Sequence, residues 1–144
     1  MIQKVHLKLM SRLLGSLVIL AALGLQPALA QGATKKTIRV AFLAPQTGNA
    51  AATGLDMING WKMWWAKYGD TVAGAKVETK YYDTSSDANT ARTKTRQAVE
   101  MDEVDMIVGP YLANEGLAVA SFTVQEQVPL FLPTVSADDL TQRM

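Results

Sequence analysis

The side chains of this 144-residue chain that could do chemistry are hydroxyls, amides and one phenol, gathered in three short segments: Thr47, Asn49 and Thr53; Tyr111 and Asn114; Thr134 and Ser136. Such groups hold a polar solute by hydrogen bonds, whereas nucleophilic catalysis would need a base beside the hydroxyl. The single histidine, His6, lies in a segment that reads as a removable leader, so the remainder has no imidazole base and no histidine metal ligand. The chain has no cysteine, which removes thiol catalysis and thiolate metal sites. Asp138 and Asp139 are adjacent carboxylates, but neighbours at a helix start point in different directions, and favourable charge in a first helical turn explains them. The pattern is that of a binder and not an enzyme, with no cofactor or metal implied.

Each segment follows an apolar strand. Residues 38–68 read IRVAFLAPQTGNAAATGLDMINGWKMWWAKY. Ile38, Val40 and Phe42 alternate with Arg39 and Ala41, as in a strand of an α/β sheet. The loop from Pro45 to Gly54 is built of small residues, so its backbone can approach a ligand. Thr53 reads as a helix N-cap with Asp56 at capping-box spacing, and Ile58, Trp61, Trp65 and Tyr68 share one helical face. A strand feeding a loop and a helix N-terminus is a site for anionic groups. Trp61, Trp64 and Trp65 could form an aromatic cage, but the inward spacing of Trp61 and Trp65 favours core packing. Thr53 and Asn114 have two readings, as helix caps or as ligand contacts. Tyr111, on a loop just past a strand, reads equally as site and as surface.

Residues 1–30 read as a secretion signal. Lys4, Lys8 and Arg12 precede the apolar run Leu13 to Leu25, and Ala28-Leu29-Ala30 supplies a cleavage site, so the mature chain is expected to begin at Gln31. Export into a bacterial periplasm suits a chain without cysteine that has enough core to do without disulfides. Without the three leader cations, 11 basic residues face 13 acidic ones, a net charge of −2 that argues against nucleic acid.

The rest alternates regularly. Ala75 to Tyr82 has Val77, Thr79 and Tyr81 on one side and Lys76, Glu78 and Lys80 on the other, a strand with one wet face near a sheet edge. Ser86 or Asp87 caps a helix running to about Met101, with Ala88, Ala91, Thr95, Ala98 and Val99 inward. Its basic residues Arg92, Lys94 and Arg96 read as a solvated flank and not as a phosphate site. Val104 to Val108 is a strand broken by Gly109-Pro110, and a helix to about Gln127 follows in which Leu117, Ala120, Val124 and neighbours are apolar. Pro129 to Leu132 is a short strand, and residues 137–140 begin one more helix. Parallel strands joined by helices of this length imply right-handed crossovers and a three-layer αβα sandwich. The loops at residues 44–54, 109–114 and 133–137 then share the carboxyl edge of the sheet, where ligands bind in open α/β folds.

The strings IRVAFLAPQTGNAAATGLDMINGWKM, YYDTSSDANTA, DMIVGPYLANEGLAVA and VPLFLPTVSADDLT resemble the N-terminal lobe of the leucine/isoleucine/valine-binding type of periplasmic binding proteins, which serve ABC importers. The resemblance implies a type I periplasmic binding fold, of which residues 31–144 would form part of the first lobe, with the ligand trapped between two lobes. It implies a small polar organic solute, a membrane permease as partner, and no direct membrane insertion after cleavage. By the same resemblance the ligand's carboxylate and amino groups would meet the loop after Gly109 and the residues Thr134 to Ser136. Ala113 stands where amino-acid binders of the family commonly carry serine, and Thr53 where an aromatic often packs on the ligand. These departures leave aromatic carboxylates, amides and ureas open beside amino acids.

Two other readings are available. Gln46-Thr47-Gly48-Asn49 is similar to a flavin phosphate loop, as in a flavodoxin-like electron carrier, although Ala50, Ala51 and Ala52 follow where further hydroxyls belong. Alternatively, the chain is a truncated half-lobe that binds nothing tightly.

Overall fold

A computed structural model describes residues 37–142, so the leader reading for residues 1–30 lies outside the described residues. The elements in order are β1 (Thr37–Ala44), α1 (Ala51–Tyr68), β2 (Thr71–Val72), β3 (Ala75–Asp83), α2 (Ala88–Arg96), a π-helical turn (Gln97–Met101), β4 (Met106–Val108), α3 (Ala113–Gln125), β5 (Leu130–Phe131) and α4 (Asp138–Gln142). The five strands form one sheet in the order β2-β3-β1-β4-β5.

β1 is the centre. It pairs in parallel with β3 from Thr37↔Lys76 to Ala44↔Asp83 and with β4 from Val40↔Met106 to Phe42↔Val108. Its alternate side chains enter two cores. Ala41 and Leu43 join Tyr82, Ala98, Val104 and Ile107 on one face, while Val40, Phe42 and Ala44 join Ile58 and Val108 on the other. A strand flanked on both sides and buried on both faces needs the near-continuous apolar run found in the sequence. α1 covers one face, with Trp61 packed against Phe42 at a ring-centroid distance of 5.2 Å. α2 lies on the other, held to α3 by Arg92 Nε donating to the Ala118 carbonyl at 3.4 Å and by the Arg96 guanidinium over the Phe122 ring.

The sheet differs from the all-parallel expectation at one edge. Ala73 and Gly74, with φ of 50° and 82°, turn the chain left-handed, and the two-residue strand β2 folds back antiparallel on the start of β3. Paired left-handed residues suit a tight hairpin, so the turn signal between α1 and β3 hid a strand. Beyond that hairpin β3 is an edge, in keeping with its wet Lys76, Glu78 and Lys80. Asp105, the polar exception before β4, accepts from the Arg39 N–H at 2.8 Å while its own N–H donates to the Arg39 carbonyl, so a carboxylate extends the ladder and β4 proper starts at Met106.

Along α3 the inward face is Glu115, Val119, Ala120, Phe122 and Thr123. Of the apolar residues Leu117, Ala120 and Val124, Ala120 is buried while Leu117 and Val124 are 39% and 70% exposed. Gly116 and the following small residues let either of two helical faces be read as the apolar one, and packing against α2 selected that of Val119 and Phe122. Two substitutions separate core from surface. Leu43→Ala, at a fully buried position, is expected to cost about 2–5 kcal/mol of unfolding free energy in urea, whereas Val124→Ala should stay within about 0.5 kcal/mol.

Candidate functional site

β1, β3, β4 and β5 run parallel, so the segments leaving their carboxyl ends share one edge of the sheet. The first two are tied together by Asp83, the last residue of β3. Its Oδ1 accepts from the N–H groups of Gln46 at 2.8 Å, Thr47 at 3.2 Å and Ser85 at 2.8 Å. Its Oδ2 accepts from the hydroxyls of Thr47 at 2.7 Å and Ser85 at 3.2 Å. Next to this knot Ser86 Oγ accepts from the Ala50 N–H at 3.0 Å and donates to the Thr47 carbonyl at 3.2 Å. Partial burial pushes the Asp83 carboxyl upward, but the hydrogen bonds from Thr47, Ser85 and Gln46 outweigh it and hold the pKa at about 2 against an ordinary 3.8.

This arrangement corrects the reading of the first loop. Ala50, not Thr53, is the N-cap of α1 and offers no side-chain cap bond. Thr53 sits in the first helical turn, exposed, so Asp56 closes no capping box. The glycines serve the protein rather than a ligand. A Cβ on Gly48, whose φ is +86°, would meet the Ser85 carbonyl oxygen at 2.6 Å, and one on Gly54 would run into the Pro45 carbonyl. What the small residues admit is one loop against another and a helix against its own loop.

The other segments place the remaining predicted residues. Of the two candidates Ser86 and Asp87, Asp87 caps α2, accepting from the Thr90 N–H at 2.7 Å. At α3 the N-cap is Leu112, not Asn114. Glu115, fully buried, accepts the Leu112 N–H on Oε2 at 3.2 Å and leaves Oε1 without a partner. Asn114 is exposed one residue before it, and Tyr111 is half-buried in the loop after β4. Beyond β5, Thr134 and Ser136 are exposed and border different hollows. Thr134 lies at the rim of an apolar hollow of about 410 Å³ lined by Phe42, Met57, Trp61, Trp64, Val108 and Phe131. Ser136 borders one of about 300 Å³ with Leu132, Val135, Asp138 and Leu140. Thr53, Tyr111, Asn114, Thr134 and Ser136 therefore all stand on segments that leave the carboxyl ends of the adjacent strands β1, β4 and β5, while Thr134 and Ser136 do not share one hollow.

The tryptophans divide. Trp61 is core, with its Nε1–H on Thr79 Oγ1 at 2.9 Å. Trp64 is 56% exposed and stacks on Tyr68. The basic flank of α2 is engaged structurally, since Arg96 pairs with Glu100 at 3.2 Å in addition to covering Phe122. Among the described residues no group of three or more His, Cys, Asp or Glu side chains could hold a metal ion, and no helix is long and apolar enough to cross a membrane. Reading by residue type missed Asp83 and Glu115. The signal for Asp83 was present in Tyr82-Asp83-Thr84-Ser85-Ser86, an acid at a strand end followed by hydroxyls. Nothing local marks Glu115 as buried.

Because its pKa is lower folded than unfolded, Asp83 contributes stability that is fully present above 3.8 and lost as pH falls through about 2. Thermal melts across that range should show wild type ahead of Asp83→Asn at neutral pH, with the gap closing on acidification. A gap that does not change with pH would mean that the charge on Asp83 is not what the knot uses.

Comparison with known proteins gives this edge a context. The sequence model of the periplasmic binding protein family matches residues 37–143. A search of curated proteins returns no match. Among solved structures, a solute-binding protein of an ABC transporter from Rhodopseudomonas palustris BisB5, in complex with 3,4-dihydroxybenzoic acid, is 29% identical with a TM-score of 0.73, over 76% of this chain and 30% of that one. A leucine-binding protein from Thermotoga maritima is 26% identical with a TM-score of 0.70, over 74% and 30%. A branched-chain amino acid transporter substrate-binding protein from Streptococcus pneumoniae, in complex with isoleucine, is 25% identical with a TM-score of 0.70, over 75% and 32%. This chain thus spans under a third of the length of these relatives. With a mostly parallel sheet, helices on both faces and a family match across every described element, the chain belongs to the periplasmic binding protein family and has the type I fold of its ABC-transporter solute-binding members.

Proposed function

We propose that this chain is part of the substrate-binding component of an ABC importer, exported to the periplasm, where it contributes one wall of a cleft for a small organic carboxylate and delivers it to a membrane permease. The observation that carries this reading is the family match over residues 37–143, joined to the run of polar side chains on the carboxyl-edge segments. Within this reading residues 1–30 are the signal peptide and residues 31–144 belong to the first lobe. Thr53, Tyr111, Asn114, Thr134 and Ser136 are the ligand-facing residues, with hydroxyls and an amide to meet an acid group and the Tyr111 ring to meet an apolar one. Enzymatic chemistry has no support in this site, which pairs none of its hydroxyls with an imidazole.

An aromatic carboxylate is the preferred solute class. The relative that binds 3,4-dihydroxybenzoic acid is 29% identical, against 26% for the leucine-binding protein and 25% for the one that binds isoleucine. Ala113, small and exposed, also withholds the hydroxyl that the resemblance to amino-acid binders calls for. A flavin-phosphate role for the first loop is disfavoured by the Asp83 carboxylate, which already takes the N–H groups such a phosphate would need.

Four of the proposed contacts, Thr53, Asn114, Thr134 and Ser136, stand in solvent. Each bond they make to a solute replaces one to water and nets about 1 kcal/mol, against an association cost of at least about 4 kcal/mol. Calorimetry on residues 31–144 with 3,4-dihydroxybenzoate or isoleucine is therefore expected to show millimolar or weaker binding, and sub-micromolar binding would show that one wall suffices. In a chain extended to the length of its relatives, a thermal-shift screen should favour the aromatic acid over isoleucine. There Ser136→Ala should cost about 1.5–3 kcal/mol of affinity, and unchanged affinity would place the solute elsewhere. Mass spectrometry of periplasmic material is expected to show an N-terminus at Gln31, and a mature mass that retains residues 1–30 would rule out the cleaved leader.

A further inference from the structure

The loop after β1, with the loop after β3 against it, has the form of an anion receptor. It leads from a strand into an 18-residue helix, α1, and three N–H groups, from Gln46 and Thr47 of this loop and from Ser85 of the loop after β3, converge on one point with the hydroxyls of Thr47 and Ser85 beside them. Converging backbone N–H groups of this kind bind carboxylates and phosphates. Here the point of convergence holds the Asp83 carboxylate. With three N–H donors on Oδ1 and two hydroxyls on Oδ2, its acceptor capacity of about four lone-pair sites is filled.

We propose that Asp83 is a built-in occupant of this receptor and a specificity-determining residue: it denies the main-chain donors of the β1 loop to an acidic solute and leaves the solute's acid group to the exposed side chains of the carboxyl edge. An incoming carboxylate at the first loop would find its donors taken and a like charge in place, both of which oppose binding. The N-termini of α2 and α3 are served in the same way, by Asp87 on the Thr90 N–H and by Glu115 on the Leu112 N–H. The segment after β5 carries the exposed hydroxyls of Thr134 and Ser136 in their place. The consequence for solute selection rests on the solute-binding function proposed above. Occupancy of the receptor does not, and anion rescue of this chain can succeed or fail whatever its solute is.

Removing the carboxylate should turn the receptor into a site for a small external one. In Asp83→Ala, sodium formate or acetate at about 0.2 M should raise the unfolding midpoint by a few degrees over sodium chloride of equal ionic strength, saturably, because an anion that binds only the folded form stabilises by mass action. Wild type should show no such preference. Asp83→Asn, whose amide oxygen still accepts from the three N–H groups, should also show none. If Asp83→Ala does not fold in chloride, recovery of its circular dichroism in formate reads the same effect. Amide spectra of isotopically labelled wild type provide an arm that needs no variant, with the Gln46, Thr47 and Ser85 resonances expected to stay unmoved by formate. Equal effects of formate and chloride on Asp83→Ala, or saturable shifts of those three amides in wild type, would overturn the proposal.

Discussion

Everything in this fold depends on β1 having no free side. Its backbone is committed to β3 and β4, and its side chains alternate between two cores. A strand in that position cannot carry a charge past its first residues without leaving it buried and unpaired, which accounts for the apolar run that ends at Pro45. The parallel pairing requires helical crossovers, and these put α1 on one face and α2 and α3 on the other. The carboxyl-edge segments are then neighbours as a result of the topology and not of any local preference.

Polar groups at that edge are mostly consumed by the protein itself. Asp83 joins the β1 and β3 loops, Ser86 holds the start of α1, Asp87 caps α2, and Glu115 caps α3. Charge-assisted bonds from backbone N–H groups to carboxylates are stronger than neutral ones, so they can set loop positions that small residues alone would leave loose. The edge is thus a hydrogen-bonded rim, and of the residues proposed to meet a solute Thr53 stands on α1, Asn114 on α3 and Thr134 and Ser136 beyond β5, all exposed. This fits a wall that meets a ligand with pre-positioned groups, where affinity depends on how little must be ordered on binding.

The α1 face has a different character. Phe42, Trp61 and Trp65 interlock, and the hollow beside them is lined by Trp64 and Phe131, which are 56% and 59% exposed. Apolar surface of this kind, next to a parallel sheet that is covered on its other face by α2 and α3, distinguishes this part of the molecule from the polar rim.

The sequence by itself determined the order of the strands and helices other than β2, the apolar run of β1, the wet face of β3, a cap for α2 at Ser86 or Asp87 and the inward place of Trp61, because each follows from periodicity or from a capping residue acting within a few positions. It also determined the absence of an imidazole or thiol chemistry after residue 36, since composition alone decides that. Only the tertiary structure decided which face of α3 is buried, that Ala50 and Leu112 rather than Thr53 and Asn114 are the caps, that β2 exists, and that the small-residue loop faces Ser85 and Pro45. For the α3 face, the start of α1 and the small-residue loop the physical reason is common: each is settled by a partner distant in the chain, as when a carboxylate 36 residues beyond Thr47 takes its N–H and hydroxyl, and local pattern carries no record of that partner's position. β2 and the Leu112 cap have near partners, the start of β3 and Glu115, but the two-residue strand is too short to show a period and Leu112 is not a capping residue type.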